Sequence, residues 1–150
     1  MPCSENPTKD DGATMRNYFL KTERLGFSQW QEADLEMASS LWGDPEVTKF
    51  ICATGTFSEQ EVKDRLHKEI QNAGLYGVQY WPLFNLETGE FIGCCGLRPY
   101  DLEKGIYELG FHIKSRYWGN KYSYEAAAAV IRYALAVSYT HLTLPTKRIV

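Results

Sequence analysis

Two titratable side chains and a glycine-bearing loop stand close together in the middle of this chain. Glu108 and His112 belong to the run Glu-Leu-Gly-Phe-His-Ile, where Tyr107, Leu109, Phe111 and Ile113 alternate with Glu108, Gly110 and His112. A period of two is a strand signature, so the carboxylate and the imidazole share its polar face. His112 can accept a proton near neutral pH, or it is a partly buried histidine satisfied by its neighbours. Lys114-Ser-Arg-Tyr-Trp-Gly-Asn-Lys-Tyr122 follows at once, then Ser123-Tyr-Glu and a run of alanines. This reads as a tight loop opening into a helix. Unpaired backbone N–H groups and the positive end of the helix dipole converge at such a junction, which makes it an anion site.

The rest of the chain must position that junction. At 150 residues it fits one domain, and a hydrophobic content of 44% with four tryptophans and ten tyrosines argues for a packed core. No apolar run approaches the roughly 18 residues of a membrane-spanning helix. The formal charge of −3 offers no general attraction to nucleic acid or to an anionic membrane, and neither is expected as a partner. The first residues are polar and lack the apolar core of a secretory signal, so a cytoplasmic location with reduced thiols is expected. Cys94 and Cys95 are neighbours in a strand and point to opposite faces, while Cys3 and Cys52 show no Cys-x-x-Cys spacing. Unremarkable thiols and no bound metal are the expectation.

In chain order, residues 1–16 read as a disordered lead-in and Tyr18 to Phe27 as a first strand with Leu20, Leu25 and Phe27 apolar. Ala33, Met37, Ala38, Leu41 and Trp42 recur at helical spacing until Gly43-Asp44-Pro45, and a short helical turn follows through Val47 to Ile51. Ser58 with Glu61 is a capping box that starts a helix with Val62, Leu66 and Ile70 on its apolar face, ending at Gly74. Tyr80 to Asn85 and Phe91 to Leu97 form a hairpin around Glu87-Thr-Gly-Glu90, and Arg98 to Lys104 is a polar loop. The aromatic set Tyr76, Tyr80, Trp81 and Phe84 either lines a cleft or, as strand residues, fills the core. The last helix begins near Ser123 with Ala127, Val130, Ile131, Ala134 and Leu135 as its stripe. The order strand, helix, helix, strand, strand, strand, helix is an α+β, mixed α/β, pattern.

Three segments carry a family resemblance: Thr22-Glu-Arg-Leu25, Trp42-Gly-Asp-Pro-Glu-Val47, and Glu108-Leu-Gly-Phe111 through Glu125-Ala126. Together they resemble GCN5-related N-acetyltransferases (GNAT), in the branch that acetylates ribosomal-protein N-termini. In that family a loop of the form Arg or Gln, two residues, Gly, one residue, then Gly or Ala holds the pyrophosphate of acetyl-coenzyme A. The match here is Arg116-Tyr-Trp-Gly-Asn-Lys121, with Lys121 departing from the small residue. The resemblance implies a mixed sheet with flanking helices and transfer of an acetyl group from acetyl-coenzyme A, as cosubstrate, to a primary amine on a protein N-terminus or a small molecule. It implies cofactor contacts from Phe111, His112 and Ile113 and from Arg116, Trp118, Gly119, Asn120, Lys121, Tyr122 and Ser123. It offers Glu108 as the base, acting through water, with a purely structural carboxylate as the alternative. Lys104, Lys114 and Arg116 are candidates for steering phosphates. A non-catalytic module that binds coenzyme A is the other reading of the same loop.

Val137 to Thr146 reads Val-Ser-Tyr-Thr-His-Leu-Thr-Leu-Pro-Thr, which resembles a translated transposon-type sequencing adapter. On that reading residues 18–136 are the N-terminal part of an acetyltransferase domain and 137–150 are an artefactual tail. The central strand would then lack its next neighbour, and the chain would have little transferase activity.

Overall fold

The structure is a computed structural model that describes residues 16–51 and 55–137 together with the backbone of 141–143. Strand β1 (Leu20–Lys21) turns into β2 (Leu25–Phe27). A turn of 3-10 helix then leads into α1 (Leu35–Trp42), α2 (Pro45–Thr48) and α3 (Glu59–Tyr76). Strands β3 (Tyr80–Asn85), β4 (Phe91–Asp101) and β5 (Ile106–Ile113) follow, then a 3-10 turn (Ser115–Tyr117), α4 (Tyr122–Ala136) and β6 (His141–Thr143). One sheet runs in the order β1 to β6, antiparallel through β5 and parallel between β5 and β6. This is the expected α+β class with a mixed sheet.

Three layers result. The β2, β3, β4 and β5 side chains Leu25, Phe27, Trp81, Leu83, Cys95, Leu97, Leu109 and Ile113 pack with Ala126, Ala129, Val130 and Ala134 of α4. The other face packs Tyr80, Phe84, Phe91 and Cys94 against Ala38, Leu41 and Trp42 of α1, Val47 of α2, and Val62 and Leu66 of α3. The two adjacent cysteines thus enter different cores, as strand alternation requires. Tyr80, Trp81 and Phe84 are buried in these cores, and Tyr76 packs against one. Cys3 and Cys52 lie outside the described residues.

Several boundaries differ from the sequence expectation. The single first strand is a tight hairpin, because the Thr22 N–H donates to Leu25 O at 2.8 Å while the Thr22 hydroxyl oxygen accepts the Leu25 N–H at 3.0 Å. Helix α3 passes through Gly74 and stops at Gly77, where φ is +76° and the left-handed cap suits glycine. The polar loop after Leu97 is strand as far as Asp101, paired with β5. On α4 the buried stripe is rotated by one position, so Ala126 and Ala129 are inside while Leu135 is 62% exposed. The expected missing neighbour of the central strand is partly supplied, since His141–Thr143 pairs with Ile106, Tyr107 and Glu108. From Leu109 onward that edge of β5 has no ladder partner among the described residues.

A fully buried carboxylate ties α3 to the sheet. Glu69 accepts the Tyr80 N–H at 2.8 Å, and its other oxygen lies 3.4 Å from Arg65 Nε and 3.6 Å from an Arg98 guanidinium nitrogen. The Arg98 guanidinium in turn lies over the Tyr80 ring, 4.4 Å from its centroid.

Candidate active site

The unpaired half of β5, the loop behind it and the start of α4 enclose a cleft of about 290 Å³. Phe111, His112 and Ile113 form its floor, Tyr117, Trp118, Gly119, Lys121, Tyr122 and Ser123 one wall, and Val47, Phe50 and Ile51 the opposite wall. The β5 backbone is turned so that Lys114 N donates to Ile92 O at 2.9 Å. Antiparallel alternation then directs the N–H and C=O groups of His112 toward β4 and those of Phe111 and Ile113 toward the open edge. The indole N–H of Trp118 donates to Ile113 O at 2.8 Å on that edge.

Helix α4 begins without a side-chain cap. Its N-cap is Lys121, whose φ of +61° makes it the one non-glycine residue with a positive φ among the described residues. The small residue of the family pattern falls on a backbone conformation that favours glycine, and lysine holds it here at a cost of about 1 kcal/mol. Gly119, at φ +88°, makes the preceding turn. Among the described residues neither the Lys121 side chain nor any other caps the first-turn amides of Tyr122 and Ser123, two residues that line the cleft.

Two polar anchors fix this junction. Asp44 caps α2 by accepting the Glu46 N–H at 3.0 Å and also accepts the Ser115 hydroxyl at 2.8 Å, so one carboxylate joins both walls of the cleft. Glu125 accepts Arg24 Nε at 2.7 Å and the Arg24 N–H at 2.9 Å, and an Arg24 terminal nitrogen donates to Asn120 O at 2.9 Å. Burial alone would raise the Glu125 carboxyl, but the Thr22 hydroxyl, the Arg24 amide and the Arg24 guanidinium together hold it below its ordinary value.

His112 is the titratable group of the floor. Its Nδ1 accepts the Trp42 indole N–H at 3.1 Å and lies 3.7 Å from Cys94 Sγ. Burial among these groups, reinforced by the cations Arg65 and Arg98, pushes its pKa well below the ordinary histidine value. The imidazole is therefore neutral at pH 7.

Of the residues singled out in the sequence, Phe111, His112, Ile113, Trp118, Gly119, Lys121, Tyr122 and Ser123 meet at the cleft. Arg116 and Asn120 do not line it: the Arg116 guanidinium sits 5.2 Å from the Tyr117 ring centroid, and the Asn120 amide turns back to Tyr117 O. Glu108 stands cross-strand from Arg98, outside the cleft and beyond Gly110. Lys104 precedes β5, about 25 Å along the strand from the loop. Lys114 is held over Phe91, 5.6 Å from the ring centroid. The α2-side wall was missed, although the i, i+4 pair Val47 and Ile51 already formed an apolar edge on the short turn.

A family model described as an acetyltransferase (GNAT) domain matches residues 24–149. The chain belongs to the GNAT family. It is 30% identical over 116 residues to the uncharacterized protein YkkB of Bacillus subtilis, covering 76% of this chain and 66% of that protein. It is 31% identical over 115 residues to the uncharacterized N-acetyltransferase p20 of Bacillus licheniformis, covering 76% and 64%. The GNAT chain thus spans just under two thirds of the length of these relatives. A solved structure of RimL, a ribosomal L7/L12 α-N-protein acetyltransferase in complex with coenzyme A, superposes with a TM-score of 0.68 at 9% identity, over 82% of this chain and 71% of that one. That likeness is one of fold.

Proposed function

We propose that the cleft binds acetyl-coenzyme A and that this GNAT chain derives from an N-acetyltransferase acting on a primary amine, on a protein N-terminus or a small molecule. The observation that carries the reading is the convergence of the open β5 edge and the uncapped N-terminus of α4 on one apolar-walled cleft. Free N–H groups at a helix start suit the pyrophosphate, and outward N–H and C=O groups on Phe111 and Ile113 suit the amides of the pantetheine arm. Acetyl-coenzyme A supplies an activated thioester; the chain's part is to hold it and exclude water. Phe111, His112 and Ile113 on the strand and Trp118, Gly119, Lys121, Tyr122 and Ser123 on the loop and helix do the holding. Glu108 remains the candidate base through water, reaching the acceptor from the Tyr80 face of β5.

Because the β5 edge beyond Glu108 has no ladder partner among the described residues, binding outlasts catalysis on this reading. Coenzyme A is held, weakened by Lys121, and acetyl transfer by residues 1–150 is slight. Titration calorimetry with coenzyme A and a thiol-release assay with amine acceptors test the two halves. Absence of coenzyme A binding overturns the site, and ordinary turnover overturns the inactivity. The strained, non-small Lys121 also favours a second reading, a module that binds coenzyme A without transfer. Binding without turnover in a longer chain selects it.

A further inference from the structure

An indole N–H can only donate a hydrogen bond, so the 3.1 Å contact from Trp42 Nε1 to His112 Nδ1 requires that Nδ1 carry no proton. A flipped ring would set a carbon against the indole N–H and lose the bond, which fixes the orientation. A neutral ring with bare Nδ1 carries its proton on Nε2. Trp42 is fully buried and His112 packs edge-on to it and to Tyr80, with centroids 6.5 and 5.6 Å away, so the imidazole plane is set from two sides. Nε2 has no protein partner among the described residues and is not among the buried orphaned atoms, while His112 lines the cleft. The one polar atom this ring has left is a donor, carried by a residue that lines the cleft.

We propose that Trp42 is a positioning residue that locks His112 as the neutral Nε2–H tautomer, and that His112 meets an occupant of the cleft as a hydrogen-bond donor to a carbonyl oxygen, not as a base. The proposal rests on the coenzyme A reading for the identity of that carbonyl, an amide or thioester oxygen of the acyl-pantetheine arm. The groups facing the ring agree with it. Cys94 and Tyr80 are uncharged in their buried sites, and Arg65 and Arg98 disfavour an imidazolium. A ring held this way does not take the ammonium proton of an incoming amine. It gives a fixed dipole aimed at an oxygen.

The test uses the 150-residue chain with coenzyme A and acetyl-coenzyme A as probes. Long-range proton–nitrogen NMR of the free protein should show His112 with a protonated Nε2 and a bare Nδ1. His112→Ala should weaken binding by about three- to tenfold, the worth of one neutral hydrogen bond. His112→Gln, whose amide N–H reaches the Nε2 position, should keep most of the affinity. Trp42→Phe, checked for folding by its thermal transition, should release the tautomer into a mixture and weaken binding in the same direction. A protonated Nδ1 in the wild type overturns the proposal, as does wild-type affinity in His112→Ala. An unchanged tautomer in folded Trp42→Phe overturns the role of Trp42. Wild-type protein that binds neither probe overturns the coenzyme A reading and this donor role with it, and the NMR result separates that outcome from a wrong tautomer.

Discussion

Arg24 and Glu125 stand 101 residues apart in sequence and meet through both the guanidinium Nε, at 2.7 Å, and the backbone N–H, at 2.9 Å. The contact ties the β1–β2 turn to the first turn of α4, and a third donor from Arg24 holds the Asn120 carbonyl. The pair is half exposed, so its Coulomb part is small, and the backbone and hydroxyl donors it satisfies carry more. Glu125→Ala should cost about 1–2 kcal/mol, read by urea denaturation. It should also weaken coenzyme A binding, because the loop loses its tether. Unchanged affinity in the folded variant would show that the loop keeps its shape unaided.

Lys121→Gly should stabilise the chain by up to about 1 kcal/mol, since it removes a left-handed lysine at the α4 N-cap. Coenzyme A affinity should rise as the Cβ leaves the first-turn amides. Gly119→Ala should act in the opposite sense, by about 1 kcal/mol, for its φ of +88° even though the added methyl meets nothing within 4 Å. Strain rather than space is the cause there. Thermal melts of the two variants side by side give the sign directly.

Glu69→Ala should be the most damaging of the changes considered, by about 3 kcal/mol or more, because it leaves Arg65 and Arg98 facing each other and the Tyr80 N–H without an acceptor. Chemical denaturation measures it. A loss below about 1 kcal/mol would mean that the two cations find water once the carboxylate is gone.

The depressed pKa of His112 sets a pH dependence of stability. The unfolded chain binds a proton near pH 6.5 that the folded chain refuses, so folding stability falls as pH drops below that value, by at most about 1.4 kcal/mol per pH unit. The window between about pH 5 and 6.5 isolates it, because the stability contributed by Glu125 is lost only at lower pH, as its own depressed pKa is crossed. Burial raises the Cys94 thiol and the Tyr80 hydroxyl that face the ring, so neither changes charge in that window. His112→Gln should flatten the slope, as measured by denaturation midpoints against pH.

Much of this architecture was legible in the residues. The capping box at Ser58, the alternation through β5 and the loop before α4 are local signals, and each element formed where its own chemistry placed it. Local signals also explain the errors. The Thr22 turn hides inside an apolar run that reads as one strand, and Gly74 looks like a stop because glycine is a poor helix former, yet of these two glycines it is Gly77 that has the positive φ. What no spacing could reveal were contacts between distant segments: Trp42 on His112, Asp44 on Ser115, and the Tyr80 ring over Gly110, where a Cβ would fall 2.2 Å from the hydroxyl oxygen. Periodicity alone put Glu108 and His112 on one polar face of β5 and left His112 either a proton acceptor or a satisfied histidine. The tertiary fold adds what periodicity could not show: the Tyr80 ring lies over Gly110, between the two residues, and burial disfavours the charged form of His112.

The open edge of β5 makes the backbone itself a reporter. The outward amides of Phe111 and Ile113 belong to a strand whose other edge is fully laddered, so their exchange with solvent deuterium is governed by what covers them rather than by global unfolding. A molecule that lies along this edge would protect those amides and raise the melting temperature together, in proportion to its free concentration. Occupancy of the cleft can thus be read as a property of the fold, without a chemical turnover to observe.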